Sequence, residues 1–430
     1  MTTTQSSAQA AADRFLALNS GNLAAYLESC VSCGLCATAC HFYEVTGDPK
    51  YTPAYKLFPM ARAHKKTLWP WRMFGGPKVT EADLDEWEEL LFDSCTMCGR
   101  CTQVCPMGID IASIVSASRS AFAMAGRGPE DFMKAAENVR DKGSPLGVTP
   151  AVFDGRVEWL EDDYEVDLPL DRDRAEVLLT VSSIELMKYP KSIVAMARLM
   201  NQAGVDWTFS TKGYEATNFG FLAGKPDIAK LAIERLVNTA EEIGARTLVI
   251  PECGHAYGVL RWSGANILGR PLPFKVLHIT EYLSQLKAEG KLKFKPMEGS
   301  ITYHDPCQIS RRGGATQAAR HLLEDATDFR EMTPTGDMNW CCGGGGGVQA
   351  MERAADLRHK VFQIKMRQVE DTGADMMISA CANCRLTMDG SIDYWKWDKE
   401  LESLVELLAE HLIEDDPHPF DAKPHLATNV

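Results

Sequence analysis

The distribution of apolar and polar residues divides the chain into two regions. Up to about residue 145 the apolar positions follow helical spacing, and a first amphipathic helix is predicted within Met1–Leu16. From Ala175 onward, short apolar runs alternate with longer amphipathic segments. Strands are predicted at 176–181, 205–209 and 247–250, with helices at 192–203 and 227–243 between them. This alternation predicts a mostly parallel sheet covered by helices.

The same order of elements occurs again in the last third of the chain. A strand is predicted at 300–303, a long helix near 348–372 and a closing strand at 375–379. The segments Glu241–Tyr257 and Glu370–Leu386 each contain an acidic helix end, a Gly-Ala pair, a strand, and a cysteine where the strand ends. This self-similarity predicts an internal duplication.

We therefore predict a mixed fold, α+β and α/β, in which a helical N-terminal domain precedes a duplicated α/β domain with parallel sheets. The acidic run Glu161–Asp173 is expected to be a solvated surface segment. The predicted parts are a helical domain at 1–145, a linker at 146–173, a first repeat at 174–290, a second repeat at 291–414 and an irregular tail at 415–430.

Composition and charge narrow the range of functions. The 430 residues are 45% hydrophobic, which suits a globular protein, and the net charge of −14 argues against general nucleic-acid binding. No apolar run approaches the ~20 residues of a membrane-spanning helix, and the first residues do not resemble a signal peptide. The 14 cysteines come in tight steps that suit metal clusters better than disulfides. We therefore expect a reducing, cytoplasmic compartment.

Eight cysteines form two runs of the type that binds cubane 4Fe–4S clusters. The runs are Cys30-x2-Cys33-x2-Cys36-x3-Cys40 and Cys95-x2-Cys98-x2-Cys101-x3-Cys105-Pro106. In such pairs the fourth cysteine of each run ligates the other cluster. We therefore predict a cluster 1 with ligands Cys30, Cys33, Cys36 and Cys105, and a cluster 2 with ligands Cys95, Cys98, Cys101 and Cys40. A zinc site is disfavoured, because zinc takes four ligands rather than eight with this spacing. His41 stands where the pattern has proline, which removes no ligand.

Five further cysteines lie in the second repeat in a different arrangement. They are Cys307 within His-Asp-Pro-Cys, the adjacent pair Cys341 and Cys342, and the pair Cys381-x2-Cys384. Two adjacent cysteines suit neither one corner of a cubane nor an unstrained disulfide, but they can flank an unusual cluster. Each piece follows a strand or lies in a loop, so the three pieces can converge at one edge of the sheet.

On these motifs the chain resembles the heterodisulfide reductase family over nearly its whole length. The five-cysteine motif resembles the CCG domain of the family's cysteine-rich HdrB protein, and the N-terminal region resembles its small ferredoxin-like HdrC protein. Their order in one chain is similar to the fused HdrD arrangement and to DsrK-type proteins of sulfur metabolism. The resemblance implies a noncubane 4Fe–4S cluster that binds and cleaves a disulfide. The residues that it implies at that site are Cys307, Cys341, Cys342, Cys381 and Cys384.

The first repeat departs from the family pattern, since HdrB has two such motifs. Cys253 is followed here by Gly-His-Ala, and the position of the first cysteine falls near Ser182 or Ser183. One thiolate cannot hold a four-iron cluster, so this half is expected to lack one. Two interpretations of Cys253 and His255 stay open. They line the active cavity opposite the other half-site, or they are a buried free cysteine and a hydrogen-bonded histidine.

The glycine run Gly343–Gly347 follows the adjacent cysteines. A phosphate-binding loop is excluded, because Val348 stands where GxGxxG requires glycine and no Gly-Lys-Ser/Thr follows. We expect Gly343 and Gly344 to let backbone N–H groups approach the cluster closely. The alternative is a flexible loop without a function.

Three polar residues near the motif also have candidate roles. His304 is predicted to donate a proton to a leaving thiolate, since disulfide reduction consumes protons, or to orient the cluster loop. Arg311 and Arg312 either meet an anionic substrate or face water.

The predicted function is an iron–sulfur subunit of a heterodisulfide-reductase-like complex. Two cubane clusters would exchange electrons with a noncubane site that reduces or forms a disulfide of a small thiol or a sulfur-carrier protein. No Rossmann fingerprint or flavin site is found, so electrons are expected to pass through a flavin-containing or a membrane quinone-reactive partner subunit. The alternative is an electron relay to the quinone pool without disulfide chemistry, as in the iron–sulfur subunits of glycerol-3-phosphate and lactate dehydrogenases.

A candidate docking site lies between the two cysteine runs, in the segment Lys65–Phe74. It combines Trp69 and Trp71 with basic neighbours, a composition favoured at interfaces and membrane surfaces. The alternative is that both tryptophans pack over the clusters and exclude water. Because no spanning segment is predicted, any attachment to the cytoplasmic membrane is expected to be peripheral and to involve a partner subunit.

Overall fold

The N-terminal region is helical, as predicted. The structure, a computed structural model, describes residues 6–74 and 76–414, so the predicted tail at 415–430 lies outside the described residues. The helices before residue 146 are α1 Ser7–Leu18, α2 Gly21–Ser29, α3 His41–Thr46, α4 Phe58–Lys65, α5 Trp71–Phe74, α6 Glu81–Glu88, α7 Arg100–Gln103, α8 Ile111–Met124 and α9 Glu130–Lys142. Short 3₁₀ helices span Leu35–Ala39, Pro49–Tyr51 and Pro53–Leu57, and a π-helical turn spans Glu89–Asp93.

The segment predicted as a linker contains a regular helix, α10 Pro150–Tyr164. Thr149 caps it by accepting the Val152 N–H at 3.4 Å, and proline occupies the first turn, where its missing N–H costs nothing. Its buried residues, at helical spacing, are Phe153, Val157 and Leu160. The acidic run that follows is only partly solvated, because Leu168 is buried. The segment predicted as a linker at 146–173 thus includes a helix whose apolar residues are part of the core.

The first repeat is built on a four-stranded parallel sheet. Its strands are β1 Val177–Leu179, β2 Trp207–Thr208, β3 Thr247–Ile250 and β4 Lys275–His278, in the order β2-β1-β3-β4. Its helices are α11 Ser183–Lys188, α12 Pro190–Gln202, α13 Phe219–Leu222, α14 Pro226–Glu242, α15 Gly254–Gly258, α16 Gly264–Leu268 and α17 Ile279–Ala288, with a π-helical turn at Val259–Ser263.

The second repeat has the same topology. Its strands are β5 Met297–His304, β6 Ala326–Phe329, β7 Met376–Ser379 and β8 Glu400–Ser403, all parallel and in the order β6-β5-β7-β8. Its helices are α18 Gln317–Leu322, α19 Ala355–Thr372, α20 Ala382–Trp395 and α21 Leu404–Glu410, with 3₁₀ turns at Leu323–Asp325, Gly336–Met338, Gly345–Ala350 and Glu352–Ala354. The matching strand order confirms the predicted duplication. Helix α19 begins later than the predicted residue 348, because Met351 has an extended backbone and separates two short 3₁₀ turns that precede the helix.

One apolar core joins the two repeats. It includes Val177 and Leu179 of β1, Ile301 and Tyr303 of β5, and the buried face of α12, which packs against α21. This packing aligns the two sheets so that loops at the carboxyl ends of their strands approach each other. The Ala382 N–H, at the end of β7, donates to the Glu252 carbonyl beyond β3 at 2.6 Å.

The helical domain packs against both repeats. Its core includes Leu222 of the first repeat and Val348 of the second. Arg119 of α8 is buried there, and its guanidinium donates to the carbonyls of Leu222 at 3.1 Å and Gly346 at 2.6 Å, and to that of Cys95 at 3.1 Å. A single arginine thus ties the second ferredoxin-type run to both repeats.

Candidate metal centres and active site

The predicted ligands of cluster 1 lie around one small cavity near the surface. Its cysteines come from the first run and from the end of the second, and they are Cys30, Cys33, Cys36 and Cys105. Cys33 is exposed, and so are the neighbouring apolar side chains of Val31 and Met107. The left-handed backbone of Gly34, with φ 78°, turns the loop between Cys33 and Cys36.

The predicted ligands of cluster 2 line a second small cavity, and all four of them are partly buried. They are Cys40, Cys95, Cys98 and Cys101. Lys56 is buried beside them, and its ammonium donates to the Leu90 carbonyl at 3.1 Å and to the Ser94 hydroxyl at 3.0 Å. His41 is buried without a hydrogen-bond partner for either ring nitrogen in the described part of the chain, and burial lowers its pKa to about 3. A cluster here is surrounded by protein rather than water.

The five cysteines of the second repeat are all buried in one apolar group. Cys307 donates to Cys341, with 3.8 Å between the two sulfur atoms. Hydrogen bonds donated by Cys341 and Cys384 lower the pKa of Cys342 well below a thiol's ordinary value. The convergence follows from the fold, because Cys307 lies beyond the end of β5 and Cys381 directly precedes α20, beyond the end of β7.

His304 completes this group. It is the last residue of β5, and one of its ring nitrogens and the sulfur atoms of Cys342 and Cys384 all lie within 4.8 Å of one another. Both ring nitrogens lack a hydrogen-bond partner among the described residues, and burial lowers the pKa of the imidazole well below its ordinary value. Since a buried, unpaired polar group is costly, the site fits a bound metal centre whose sulfurs or iron satisfy it.

The glycine run contacts the predicted cluster ligand Cys342 and also allows close packing between two loops. The Gly344 N–H donates to Cys342 Sγ at 3.5 Å, as expected of a cluster loop. Gly343 lies against Val361 at positive φ. A Cβ on Gly346 would stand 2.8 Å from the Thr96 carbonyl carbon and 2.9 Å from the Cys95 oxygen. The run therefore lets the Cys-Cys-Gly loop rest directly on the second ferredoxin-type run.

That contact brings two predicted metal centres together. The Thr96 hydroxyl lies 3.5 Å from Cys341 Sγ, and the Cys98 thiol donates a hydrogen bond to the same sulfur. Arg311 Nη1 donates to the Cys98 carbonyl at 3.1 Å, and its other nitrogens donate to the carbonyls of Asp337 and Asn339. Arg311 is thus buried and does not face water, but it lines the large cavity described below, so its contact with an anionic substrate stays a prediction.

A cavity of about 670 Å³ opens in front of the five-cysteine site, between the two repeats and the helical domain. Cys342, Cys381 and Cys384 line one side. Arg312 also lines the cavity, and its guanidinium is 3.4 Å from Asp110. Its other lining residues include the apolar side chains Leu146, Ile184, Phe221, Val259, Trp262 and Leu386. A cavity of this size and composition suits a small-molecule or tethered substrate.

Comparisons with known proteins bear on this arrangement. The 4Fe-4S dicluster domain model matches residues 26–109, and the CCG cysteine-rich domain model matches residues 301–389. The D subunit of the dihydromethanophenazine:CoB–CoM heterodisulfide reductase of Methanosarcina acetivorans is 28% identical over 396 residues, which cover 90% of this chain and 94% of that protein. The chain is a heterodisulfide reductase-like iron–sulfur protein.

Two other relatives of this heterodisulfide reductase-like protein have quinone-linked names. An Hdr-like menaquinol oxidoreductase iron-sulfur subunit of Archaeoglobus fulgidus is 26% identical, over 90% of this chain and 80% of its own length. The EtfAB:quinone oxidoreductase of Syntrophomonas wolfei is 28% identical, over 84% of this chain and 54% of its own length.

In the heterodisulfide reductase-like chain, the degenerate half-site of the first repeat faces the same cavity. Cys253 and His255 both line it, across from the five-cysteine site. The Gly254 N–H donates a hydrogen bond to Cys381, so the loops of the two repeats touch. His255 Nε2 lies 3.0 Å from the Asn218 carbonyl, and burial raises the pKa of Cys253. Both interpretations of this pair thus describe part of it, since Cys253 is buried, His255 is partly buried and hydrogen-bonded, and both line the cavity.

Two functional candidates near the site are not predicted from the sequence. Arg119 is one of them. Lys365 is fully buried, donates to Asn339 Oδ1 at 2.8 Å, and has its pKa lowered to about 7 by burial. A lysine four residues after Val361 and four before Val369, both buried, is a readable signal in helix α19. The partners of Arg119 lie more than 100 residues away or in loops, and no local pattern announces them.

The candidate docking segment is strongly exposed. Trp69 is 79% exposed and Phe74 80%, and Trp71, Met73, Lys65 and Arg72 are exposed as well. The alternative, in which the tryptophans pack over the clusters, is therefore wrong. Within residues 6–74 and 76–414, every helix is too short or too polar to cross a membrane.

Proposed function

We propose that this chain passes electrons between a partner subunit and a noncubane 4Fe–4S site in the second repeat, where a disulfide is reduced or two thiols are oxidised. The substrate would be a small disulfide or the sulfur of a carrier protein. The observation that carries the proposal is a group of five buried cysteines, four of which line one large cavity, while the fifth, Cys341, contacts the second ferredoxin-type run.

The donor set fits two cubanes and one noncubane cluster. Eight cysteines form two groups of four, and the five cysteines of the second repeat form a third group beside His304. A noncubane cluster, when bound, supplies sulfur and iron atoms that can hold a half-reduced substrate between two one-electron steps. Cys307, Cys341, Cys342, Cys381 and Cys384 would hold it. The Gly344 N–H would stabilise the Cys342 thiolate, and the apolar cavity wall would exclude water from the reacting sulfurs.

The positions of the cysteine groups suggest an electron route. The cysteines that would hold cluster 1 lie beside exposed Val31 and Met107, those that would hold cluster 2 are partly buried, and Cys98 of the second set hydrogen-bonds to Cys341. Electrons would enter or leave at cluster 1 and reach the cavity through cluster 2. Burial lowers the pKa of His304 well below its ordinary value, so we assign it the second of its expected roles, orienting the cluster loop, rather than proton donation.

The exposed segment Lys65–Phe74 would hold a partner subunit of the complex, either flavin-containing or quinone-reactive. Exposed tryptophans are favoured at interfaces, and the basic residues Lys65, Lys66 and Arg72 give this segment a charge opposite to that of the chain as a whole. We therefore expect the partner subunit to contact this basic segment with an acidic surface.

A second candidate function is an electron relay to quinone without disulfide chemistry. It is favoured by the names of the Archaeoglobus and Syntrophomonas relatives, which are quinone-linked.

The two functions are separated by an activity assay. Anaerobically purified protein is mixed with reduced methyl viologen as electron donor and bis(2-hydroxyethyl) disulfide as substrate. We expect disulfide-dependent oxidation of the dye in the wild type and none in Cys342→Ser. Reduction of a water-soluble quinone by both proteins, without any disulfide turnover, would favour the relay instead.

A further inference from the structure

The first repeat lacks the five-cysteine motif. At the carboxyl end of its own sheet it has a row of buried, hydrogen-bonded polar side chains instead. Glu215 lies beside the carboxyl end of β1, through its bridge with Val181, and it is buried. One carboxylate oxygen accepts the Ser183 N–H at 3.1 Å and the Ser183 hydroxyl, and the other accepts the Thr217 N–H at 2.7 Å. These contacts fix the carboxylate in one orientation.

At its inner end, this row of buried polar side chains reaches the catalytic cavity. Thr217 Oγ1 lies 3.8 Å from Cys253 Sγ, which is within hydrogen-bonding distance for a thiol. Ser183, Thr217 and Cys253 all line the cavity of about 670 Å³, as do four cysteines of the five-cysteine site. Cys253 lies next to that site, because the adjacent Gly254 N–H donates to Cys381.

On its outer side Glu215 lines a second cavity, of about 270 Å³. That cavity reaches the protein surface, since Asp141, Lys142 and Lys212 also line it and are exposed. Glu215 therefore lies between a solvent-accessible cavity and the catalytic one.

From this geometry we infer that the degenerate first repeat is a proton relay for the disulfide site. The route runs from the outer cavity to the Glu215 carboxyl, through the Thr217 hydroxyl, to the Cys253 thiol and the catalytic cavity. The inference rests on the proposed function. Cleavage of one S–S bond takes two electrons, which the iron–sulfur centres supply, and two protons, which the relay delivers so that two S–H bonds form. Thiol oxidation runs the same route outward.

The surroundings of Glu215 suit a group that exchanges protons. Burial raises its pKa, while the hydrogen bonds donated by Ser183 and Thr217 lower it. The charged groups that face the outer cavity are Lys142, Lys212, Arg235 and Asp141, and the buried carboxyls on the inner side of the repeat are Glu185 and Glu252.

Two pairs of variants test the relay in the viologen and bis(2-hydroxyethyl) disulfide assay. Thr217→Val keeps the side-chain shape but removes the hydroxyl, whereas Thr217→Ser retains it. Glu215→Gln removes the titrating group, whereas Glu215→Asp retains it. We expect Thr217→Val and Glu215→Gln to lower turnover at least about tenfold, as for loss of general acid catalysis. Thr217→Ser and Glu215→Asp should retain most of the wild-type turnover. Iron content and dithionite reduction of the cubanes should not change.

Two controls separate a relay from a structural role and from the proposed function itself. Glu185→Gln alters another buried carboxyl of the repeat, outside the route, and should keep wild-type turnover. Redox-difference infrared spectroscopy should show a protonated-carboxyl band in the wild type that is absent in Glu215→Gln, whether or not the disulfide is turned over. Wild-type turnover in both Thr217→Val and Glu215→Gln with intact clusters, or an infrared spectrum without that band, would overturn the relay. Absence of turnover in the wild type would count against the proposed function alone.

Discussion

The Thr96 hydroxyl and Cys341 Sγ, 245 residues apart in the chain, lie 3.5 Å apart in the structure. Thr96 stands between two predicted ligands of cluster 2, and Cys341 belongs to the five-cysteine site. This contact is possible because Gly345 and Gly346 have no Cβ to separate the two loops. The two iron–sulfur regions are therefore joined by direct packing, which keeps the path between them short.

Replacing Gly346 with alanine tests this packing. The new Cβ would meet backbone atoms of Cys95 and Thr96 at 2.8–2.9 Å, at a residue with φ +62°. We expect Gly346→Ala to lower the free energy of unfolding by roughly 1–3 kcal/mol. The matched control is Gly390→Ala within helix α20, where no atom lies within 4 Å and the helix should gain stability. Equal unfolding midpoints for the two variants in urea would contradict the packing account.

Much of the fold follows from the sequence, because its patterns are local. The apolar run at 247–250 predicts strand β3 at its observed residues, and the two Gly-Ala-strand-cysteine segments correctly indicate the duplication. Helix α10 is not anticipated, because the Pro and Gly residues around 143–150 resemble a linker, whereas Pro150 begins the helix. A proline can begin a helix or interrupt one, and here it begins the helix.

The site is predictable only in part, for a different physical reason. Cysteine spacing indicates which residues can share a cluster, since ligand geometry restricts the spacing. The roles of Arg119, Arg311 and Glu215 depend on carbonyls, hydroxyls and cavities contributed by distant segments. A run of glycines in the sequence likewise indicates that the backbone packs closely against another segment. The sequence does not indicate which segment that is.

Iron content tests the number of clusters. Two cubanes and one noncubane cluster, each with four irons, give about twelve irons per chain. We expect this value for anaerobically purified protein, measured with acid-labile sulfide and quantitative amino-acid analysis. About eight irons would remove the noncubane cluster from the account, and about sixteen would mean that the first repeat also binds one.

The stability of the protein should depend on pH through Glu185. Burial raises the pKa of this carboxyl from 4.5 to about 7. The folded state therefore holds a proton that the unfolded state releases above pH 4.5, so the contribution of Glu185 to stability is full below that pH and is lost as the pH rises toward 7. Urea unfolding across this range should show a smaller decline for Glu185→Gln than for the wild type. Parallel pH profiles for the two proteins would refute the assignment.

The exposed aromatic segment should matter for assembly and not for folding. Changing Trp69 and Trp71 to alanine removes two exposed rings, so iron content and unfolding should stay at wild-type values. Recovery of partner subunits in pull-downs from the native host should fall. Tyr394→Ala, which removes another exposed ring, in the second repeat, is the control. Loss of iron or precipitation of the tryptophan variant with partners still bound would show that the rings serve the fold instead.

The most direct test of the central claim is electron paramagnetic resonance of oxidised protein treated with a thiol, the product of disulfide reduction. Because the five-cysteine site is proposed to bind the substrate sulfur, the wild type should show a paramagnetic state that appears only with thiol. In Cys342→Ser that state should be absent, while both cubanes remain reducible by dithionite. A wild-type spectrum that thiol does not change, or a thiol-dependent state that persists in Cys342→Ser, would contradict the account.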